Sequence, residues 1–285
     1  MKLPYVLARR FVAGETLADA LPTLEDLHRD GLFTALDLLG EDVQDRRQAE
    51  AYTATYIGLV ETLAATRGDA DSNVSIKLSM IGQRIDHDLA VANLRRLLDS
   101  AKAHDTFVRL DMEGSDLTQS TLDIFEAVYP DYPDHVGVVL QAYLHRTDAD
   151  VDRMCELNAR VRLCKGAYKE PPEIAYQDMS KIRTQFVGQM ERLIGHARYP
   201  GIATHDDQLI QATKQFVAGN AISHDAFEFQ MLYGIRPETQ REIVREGYHM
   251  RVYVPYGTEW VPYFTRRLRE RKENVTFVLK NLFRR

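Results

Sequence analysis

Residues 74–113 read "VSIKLSMIGQRIDHDLAVANLRRLLDSAKAHDTFVRLDME" and contain a complete strand–helix–strand unit. The runs "VSIKLSM" (74–80) and "FVRLDME" (107–113) are short and apolar, as buried strands are. Between them, "LAVANLRRLLDSAKAH" (89–104) repeats apolar residues at steps of three and four, as a helix buried along one face requires. This unit predicts two strands joined by a helix.

The same alternation runs through the rest of the chain. Six further strand-like runs are "FTALDLLG" (33–40), "VGVVLQAY" (136–143), "RVRLCKGA" (160–167), "GIATH" (201–205), "FEFQML" (227–232) and "RVYVPYG" (251–257). Further amphipathic segments lie at residues 46–67, 120–129, 148–159 and 207–219. Eight strands, each followed by a helix, predict an α/β fold of the (βα)8 TIM-barrel type. A doubly wound open sheet is the structural alternative.

The two ends of the chain extend this pattern. About the first 30 residues predict extra helix before the barrel, and about residues 258–285 predict a C-terminal helix that breaks near Asn274 and continues as a short tail. No Gly/Ser-rich linker or low-complexity tract divides the sequence. We therefore expect residues 1–285 to form a single catalytic barrel domain.

Composition limits the classes of function. The chain has 285 residues, 45% of them hydrophobic, which is enough for one large core. Its formal net charge of −6 argues against a broad nucleic-acid-binding surface. Cys155 and Cys164 make no disulfide framework and fit a reducing compartment. The sequence shows neither a signal peptide nor an apolar run of transmembrane length, so we expect a cytoplasmic protein.

Polar residues recur where each predicted strand ends, and a barrel carries its active site at that end. In strand order they are Asp37 and Glu41, Lys77, Asp111 and Glu113, Gln141, Arg162 and Lys165, Thr204 and His205, Gln230, and Tyr253; the segment after the last strand adds Arg266 and Arg267. Any one of them could belong to a structural ion pair. Burying so many ionisable groups is costly unless they pair or hold ligands. Because the cations outnumber the anions, the pattern indicates an anionic ligand, a phosphate or a carboxylate.

The sequence lacks the motifs that mark several classes of binding site and enzyme. There is no GxGxxG or P-loop, so a Rossmann-type dinucleotide site is not indicated. There is no HExxH or CxxC, so we expect no metal, and no GxSxG nucleophile elbow. Two other classes stay open. Lys77 or Lys165 on a barrel strand could form a Schiff base, as in a lyase or aldolase, and a barrel could bind a ligand without catalysis.

Several segments together resemble a known family. They are "LDLLGE" (36–41), "IKLSMIG" (76–82), "RLDMEG" (109–114), "LQAYL" (140–144), "RLCKGAY" (162–168), "ATHD" (203–206), "EFQMLYG" (228–234) and "RVYVPYGTEWVPYFTRRLRERKENVTF" (251–277). The chain is identified as a member of the proline dehydrogenase family, in its short monofunctional bacterial form. The resemblance runs from about residue 9 to the C-terminus.

The resemblance implies a barrel that binds FAD without a Rossmann domain. It implies oxidation of L-proline to Δ1-pyrroline-5-carboxylate, the first step of proline catabolism, by hydride transfer from proline C5 to flavin N5. The family passes the electrons to a quinone, so peripheral contact with the inner face of the cytoplasmic membrane is expected. A separate pyrroline-5-carboxylate dehydrogenase would take the product. A hydroxyproline dehydrogenase of the same family is the nearest alternative, and Tyr253 favours proline.

The resemblance also carries residue roles. Lys77, Arg266 and Arg267 would bind the proline carboxylate, to which a guanidinium offers a planar, two-pronged donor. Tyr253 would pack near proline C4, and Leu232 and Ala167 would form apolar walls. Asp111 would shape the electrostatics of the site. Glu41 would pair with Arg266 as a gate over bound substrate.

A second set of positions matches the family's flavin contacts: Gln141, Arg162, Lys165, Gly166, Ala167, Tyr168, Thr204, His205, Arg267 and Glu270. The resemblance places Arg162 near flavin N5, where a cation stabilises the reduced ring. Lys169 stands where many relatives have tryptophan, and this departure leaves one flavin or adenine contact of the family unsupported.

Overall fold

A computed structural model describes residue 5 and residues 8–40, 42–66 and 71–270, with the side chains of 266–270 outside the description. It confirms the barrel: eight parallel strands close in sequence order, with β1 hydrogen-bonded to both β2 and β8. The strands are β1 (Phe33–Leu38), β2 (Ser72–Ile76), β3 (Phe107–Leu110), β4 (Val136–Gln141), β5 (Val161–Cys164), β6 (Gly201–Ala203), β7 (Glu228–Leu232) and β8 (His249–Tyr256).

Helices surround the sheet and connect its strands. They are α1 (Leu17–Arg29), α2 (Arg46–Thr66), α3 (His87–Ala103), α4 (Ser115–Val128), α5 (Thr147–Glu156), α6 (Met179–His196), α7 (Asp207–Gly219), α8 (Pro237–Arg245) and α9 (Trp260–Glu270). The predicted helix before the barrel is α1. It begins with a capping box, in which Thr16 and Asp19 each accept a hydrogen bond from the other's backbone.

The strand ends differ from the sequence pattern at one informative place. The run predicted as a strand over 74–80 forms β2 over Ser72–Ile76, and the chain then enters a 3-10 turn at Leu78–Ile81. Gly82 ends this turn with a φ of 114°, a conformation that glycine adopts readily. Lys77 therefore follows its strand and lies at the C-terminal end of the barrel.

The apolar core lies between the sheet and the helices, where outward strand residues such as Leu36 and Phe229 pack against buried helix residues such as Phe125 and Phe186. A second apolar cluster, the N-terminal cluster, joins the segment before α1 to α9. It comprises Ala8, Phe11, Val12, Leu39, Ile235, Trp260, Tyr263 and Phe264, with Leu232 packed against it. This cluster fixes α9 beside the C-terminal end of β7.

The centre of the barrel is polar. Side chains alternate between the two faces of a strand, and the inward ones include Arg109, Arg162, Glu228, Gln230 and Arg251, each exposed by 6% or less. Arg109 and Arg251 are the largest fully buried side chains. Burying charge is costly unless the groups pair. Arg162, Glu228 and Arg251 have charged partners, whereas Arg109 donates to the backbone carbonyls of Val138 and Arg160.

Candidate active site

Asp111 is the centre of a fixed polar group at the C-terminal end of the barrel. Its Oδ1 accepts a hydrogen bond of 2.6 Å from Arg162 Nη1, and its Oδ2 accepts one of 2.6 Å from the Tyr253 hydroxyl. Arg162 also donates from Nη2 to Ser75 Oγ at 3.0 Å and lies 5.2 Å from the centre of the Tyr253 ring. Burial, followed by the Asp111 and Asp37 carboxylates, raises the pKa of Tyr253 well above its ordinary value, so this hydroxyl stays protonated and donates.

Lys77 and Asp37 form a buried ion pair beside this group, with Lys77 Nζ 2.8 Å from Asp37 Oδ1. Burial alone would lower the pKa of the Lys77 ammonium, but the carboxylates of Asp37, Asp111 and Glu113 outweigh it and raise the pKa. Lys77 is therefore a protonated amine at neutral pH. A Schiff base requires the free amine, so this pair disfavours the lyase alternative at Lys77.

Gln141 and Glu113 face each other between the ends of β3 and β4. Gln141 Nε2 donates to the Glu113 carbonyl at 2.9 Å. The Glu113 carboxylate accepts from the Ser79 hydroxyl at 2.7 Å and from the Ser79 backbone N–H at 3.2 Å. The Glu113 carboxylate is thus hydrogen-bonded to the 3-10 turn after β2. It stabilises the wall of the site and is not available to bind a ligand.

Lys165, at the end of β5, pairs with a carboxylate that the sequence pattern missed. Lys165 Nζ lies 3.1 Å from Asp206 Oδ2, and Arg183 Nε lies 2.8 Å from the same oxygen. Asp206 also caps α7 by accepting from the Gln208 N–H. Asp206 directly follows Thr204 and His205, so its position next to two predicted ligand residues was the available signal.

Thr204 and His205 are fixed by their own hydrogen bonds. Thr204 Oγ1 accepts from the Asp206 N–H at 3.1 Å. His205 Nε2 receives the Leu232 N–H at 2.9 Å, and a nitrogen that accepts a backbone hydrogen bond carries no proton. The imidazole proton of neutral His205 therefore lies on Nδ1. Leu232, the predicted apolar wall, is half-buried and is tied to His205 by the same bond.

The loop after β5 lies open at this end of the barrel. Ala167 is exposed and Gly166 and Tyr168 are half-buried. Gly166 has a φ of 120°, and a Cβ at this position would lie 2.2 Å from the ring of Tyr143. Only glycine fits here, and the bare backbone lets a ligand approach closely. Lys169, the departure from the family pattern, is exposed.

The structure brings most of the predicted site residues to one end of the barrel, while four lie outside the described part. Glu41 is outside the described residues, and so are the side chains of Arg266, Arg267 and Glu270, although α9 itself extends to Glu270. The ion pairs among the described residues also change the charge balance that the sequence suggests for the site. Lys77, Arg162 and Lys165 each have a carboxylate partner, so the positive excess inferred from the sequence depends on Arg266 and Arg267.

The described residues also bear on metal binding and on membrane insertion. Within that part of the chain, no group of three or more His, Cys, Asp and Glu side chains could hold a metal ion. Among the helices whose placement is described, none is long and apolar enough to cross a membrane.

Known proteins resemble this chain in both sequence and fold. The family model described as proline dehydrogenase matches residues 20–280. Proline dehydrogenase 1 of Bacillus subtilis subsp. natto is 41% identical over 277 residues, which cover 97% of this chain and 91% of the relative. The proline dehydrogenase of Deinococcus radiodurans is 39% identical over 282 residues, covering 98% of this chain and 90% of the relative.

Larger proteins contain a similar barrel. The structure of proline utilization A from Bdellovibrio bacteriovorus, inactivated by N-propargylglycine, superposes with a TM-score of 0.87 at 28% identity. The match covers 92% of this chain and 32% of that one, so this chain spans about a third of it. A family model over most of the sequence, full-length relatives near 40% identity and a barrel of the same architecture agree. The chain belongs to the proline dehydrogenase family and is an enzyme of proline catabolism.

Proposed function

We propose that this enzyme oxidises L-proline to Δ1-pyrroline-5-carboxylate with FAD as the hydride acceptor, and that the reaction takes place at the C-terminal end of the barrel. The observation that carries the proposal is the fixed group of Asp111, Arg162 and Tyr253 beside the Lys77–Asp37 pair. It offers a preorganised surface of charged and hydrogen-bonding groups at the end of the barrel where such folds carry their chemistry.

The substrate assignment uses the charges and apolar groups around this surface. The proline carboxylate would bind to the protonated Lys77 ammonium and to Arg266 and Arg267 of α9. Leu232 and Ala167 are apolar and lie at the rim, which suits a pyrrolidine ring. Glu41 and Arg266 would close over the bound substrate and exclude water.

Tyr253 would set the preference for proline over hydroxyproline. Asp111 accepts its hydroxyl at 2.6 Å, and Arg162 lies against its ring, so the ring cannot swing aside easily. A 4-hydroxyl group would then meet a fixed side chain whose own hydroxyl is already bonded. This contact favours L-proline as substrate and makes hydroxyproline the poorer one.

The residues at the open loop fit a flavin cofactor. FAD would be held by side chains at the strand ends, by the backbone of the loop after β5 and by α9. The side chains are those of Arg162, Lys165, Gln141, Thr204 and His205; the backbone groups are those of Gly166, Ala167 and Tyr168; and α9 would contribute Arg267 and Glu270. A Cβ at Gly166 would lie 2.2 Å from the Tyr143 ring, so this loop keeps a bare backbone that a bound group can approach closely. FAD bound here would supply the hydride acceptor. Arg162 would hold positive charge near the ring.

The electron acceptor and the neighbouring enzyme follow from the family. We propose that a membrane quinone reoxidises the enzyme during peripheral contact at the inner face of the cytoplasmic membrane. A separate pyrroline-5-carboxylate dehydrogenase would consume the product.

One experiment separates the flavoenzyme from the lyase. The purified protein, supplied with FAD, is assayed for dye reduction with L-proline. A parallel sample is treated with borohydride and pyruvate, because a lysine forms a Schiff base only with a carbonyl compound. We expect proline-dependent dye reduction and no increase in protein mass. Borohydride-dependent trapping of pyruvate without dye reduction would overturn the proposal and favour a Schiff-base enzyme.

A further inference from the structure

A row of hydrogen bonds runs inward from the site through the centre of the barrel. Arg162 Nε donates to Gln230 Oε1, and Gln230 Nε2 donates to Glu228 Oε1. Glu228 accepts from Arg251 Nε and Nη2, both at 2.8 Å. Arg251 then donates from Nη1 to Asp71 Oδ1 at 3.0 Å, and Asp71 lies near the opposite end of the barrel.

The two neighbours of Gln230 fix the orientation of its amide. The Arg162 guanidinium can only donate, so the amide must present its oxygen there. The nitrogen then points to Glu228, which accepts because two bonds from Arg251 keep it ionised. Burial alone would raise the pKa of Glu228, but the Arg251, Arg160 and Arg109 guanidiniums lower it to about 2. If the amide were flipped, its N–H groups would face the donating Arg162 guanidinium and its oxygen would face the Glu228 carboxylate. Only the orientation described here is therefore stable.

The space for this amide is also specific. A Cβ at Gly201, on the neighbouring strand β6, would lie 2.5 Å from Gln230 Nε2 and 3.0 Å from its amide carbon. Gly201 therefore leaves room for the Gln230 side chain, which is 3% exposed. Gln230 is the direct contact between the buried Glu228–Arg251 pair and Arg162.

We infer that Gln230, oriented by Glu228, is a positioning residue that fixes the Arg162 guanidinium and, through it, Asp111 and Tyr253. The inference rests on the proposed function, which gives these three residues their place in the reaction. Gln230 contacts Arg162 from the interior of the barrel and has no part in binding the proline carboxylate. Its loss should therefore affect kcat more than KM.

Three variants test this inference by steady-state proline oxidation. Gln230→Met keeps the bulk and removes both hydrogen bonds; we expect kcat to fall roughly tenfold to a hundredfold, with KM changed less than about threefold. Gly201→Ala removes no polar group but displaces the amide, and a smaller fall in kcat of about threefold to tenfold should follow. Gly58→Ala is the matched control, because a Cβ there meets nothing within 4 Å. Wild-type kcat in Gly201→Ala, or a rise in KM as large as the fall in kcat, overturns the inference.

A double-mutant cycle separates positioning from general damage. In an Arg162→Met background, Gln230→Met should lower kcat no further, and the two effects on the melting temperature should be less than additive. Independent, multiplying effects would overturn the inference. An Arg162→Met enzyme with wild-type kcat would instead remove Arg162 from the proposed site. The melting cycle needs no activity, so it tests the contact between Arg162 and Gln230 even if the proposed chemistry fails.

Discussion

Replacing Glu228 should remove a large, pH-dependent part of the stability of the barrel. The pKa of this carboxyl falls from 4.5 to about 2 in the folded chain, which corresponds to about 3 kcal/mol of stability at neutral pH. Because the folded pKa is depressed, the contribution is complete above pH 4.5 and is lost as the pH falls towards 2. By pH 3.5 about 1 kcal/mol of it should be gone. Glu228→Gln removes the buried carboxylate partner of Arg251 and leaves only the more exposed Asp71, so it should cost about 3 kcal/mol at pH 7.

Urea unfolding of the wild type and Glu228→Gln between pH 7 and pH 3.5 measures this contribution. The difference in the free energy of unfolding should shrink by about 1 kcal/mol over that range. Glu61→Gln, on the exposed face of α2, is the control and should stay within about 0.5 kcal/mol of the wild type throughout. A difference between the wild type and Glu228→Gln that stays constant, or that grows on acidification, would refute the assignment of an ionised Glu228 paired with Arg251.

Three other changes test the rim of the site. Arg266→Lys should raise the KM for proline at least about tenfold, because a lysine cannot grip a carboxylate with two parallel bonds; an unchanged KM in steady-state assays removes this arginine from the site. Glu41→Ala should raise KM more than it lowers kcat, and the reverse ratio would point to a role in the chemical step. Gly166→Ala should destabilise the chain in urea unfolding by about 1–3 kcal/mol, since its Cβ would overlap the Tyr143 ring. Gly195→Ala, where a Cβ meets nothing within 4 Å, is its control and should show no such loss.

The barrel could be predicted because its pattern is local. Each strand is a short apolar run and each helix repeats its apolar residues at helical spacing, so the sequence between residues 74 and 113 already contains the repeating unit. The α7 helix occupies Asp207–Gly219, the span that the periodicity indicates. The end of β2 could not be placed in this way, because the turn after Lys77 is made of apolar residues that look like a continued strand.

The charge pairing at the site could not be predicted from local pattern. Lys77 and Asp37 are 40 residues apart, and Arg162 and Gln230 are 68 residues apart. Closure of the barrel brings these residues together, and the sequence gives no distance between them. The sequence pattern therefore suggests a positive excess, whereas Lys77, Arg162 and Lys165 each have a carboxylate partner. Glu228 and Arg251 lay in strand-like runs and gave no sign that their side chains turn inward.

The proposed function requires that L-proline reduce a flavin held at the C-terminal end of this barrel. The most direct test is an absorption spectrum of the purified protein, followed by anaerobic addition of L-proline and, in a parallel sample, hydroxyproline. We expect flavin bands that bleach with L-proline and persist with hydroxyproline. A flavin that does not bleach with proline would contradict the proposed substrate chemistry. A protein that remains colourless after FAD is added would contradict the flavin site itself.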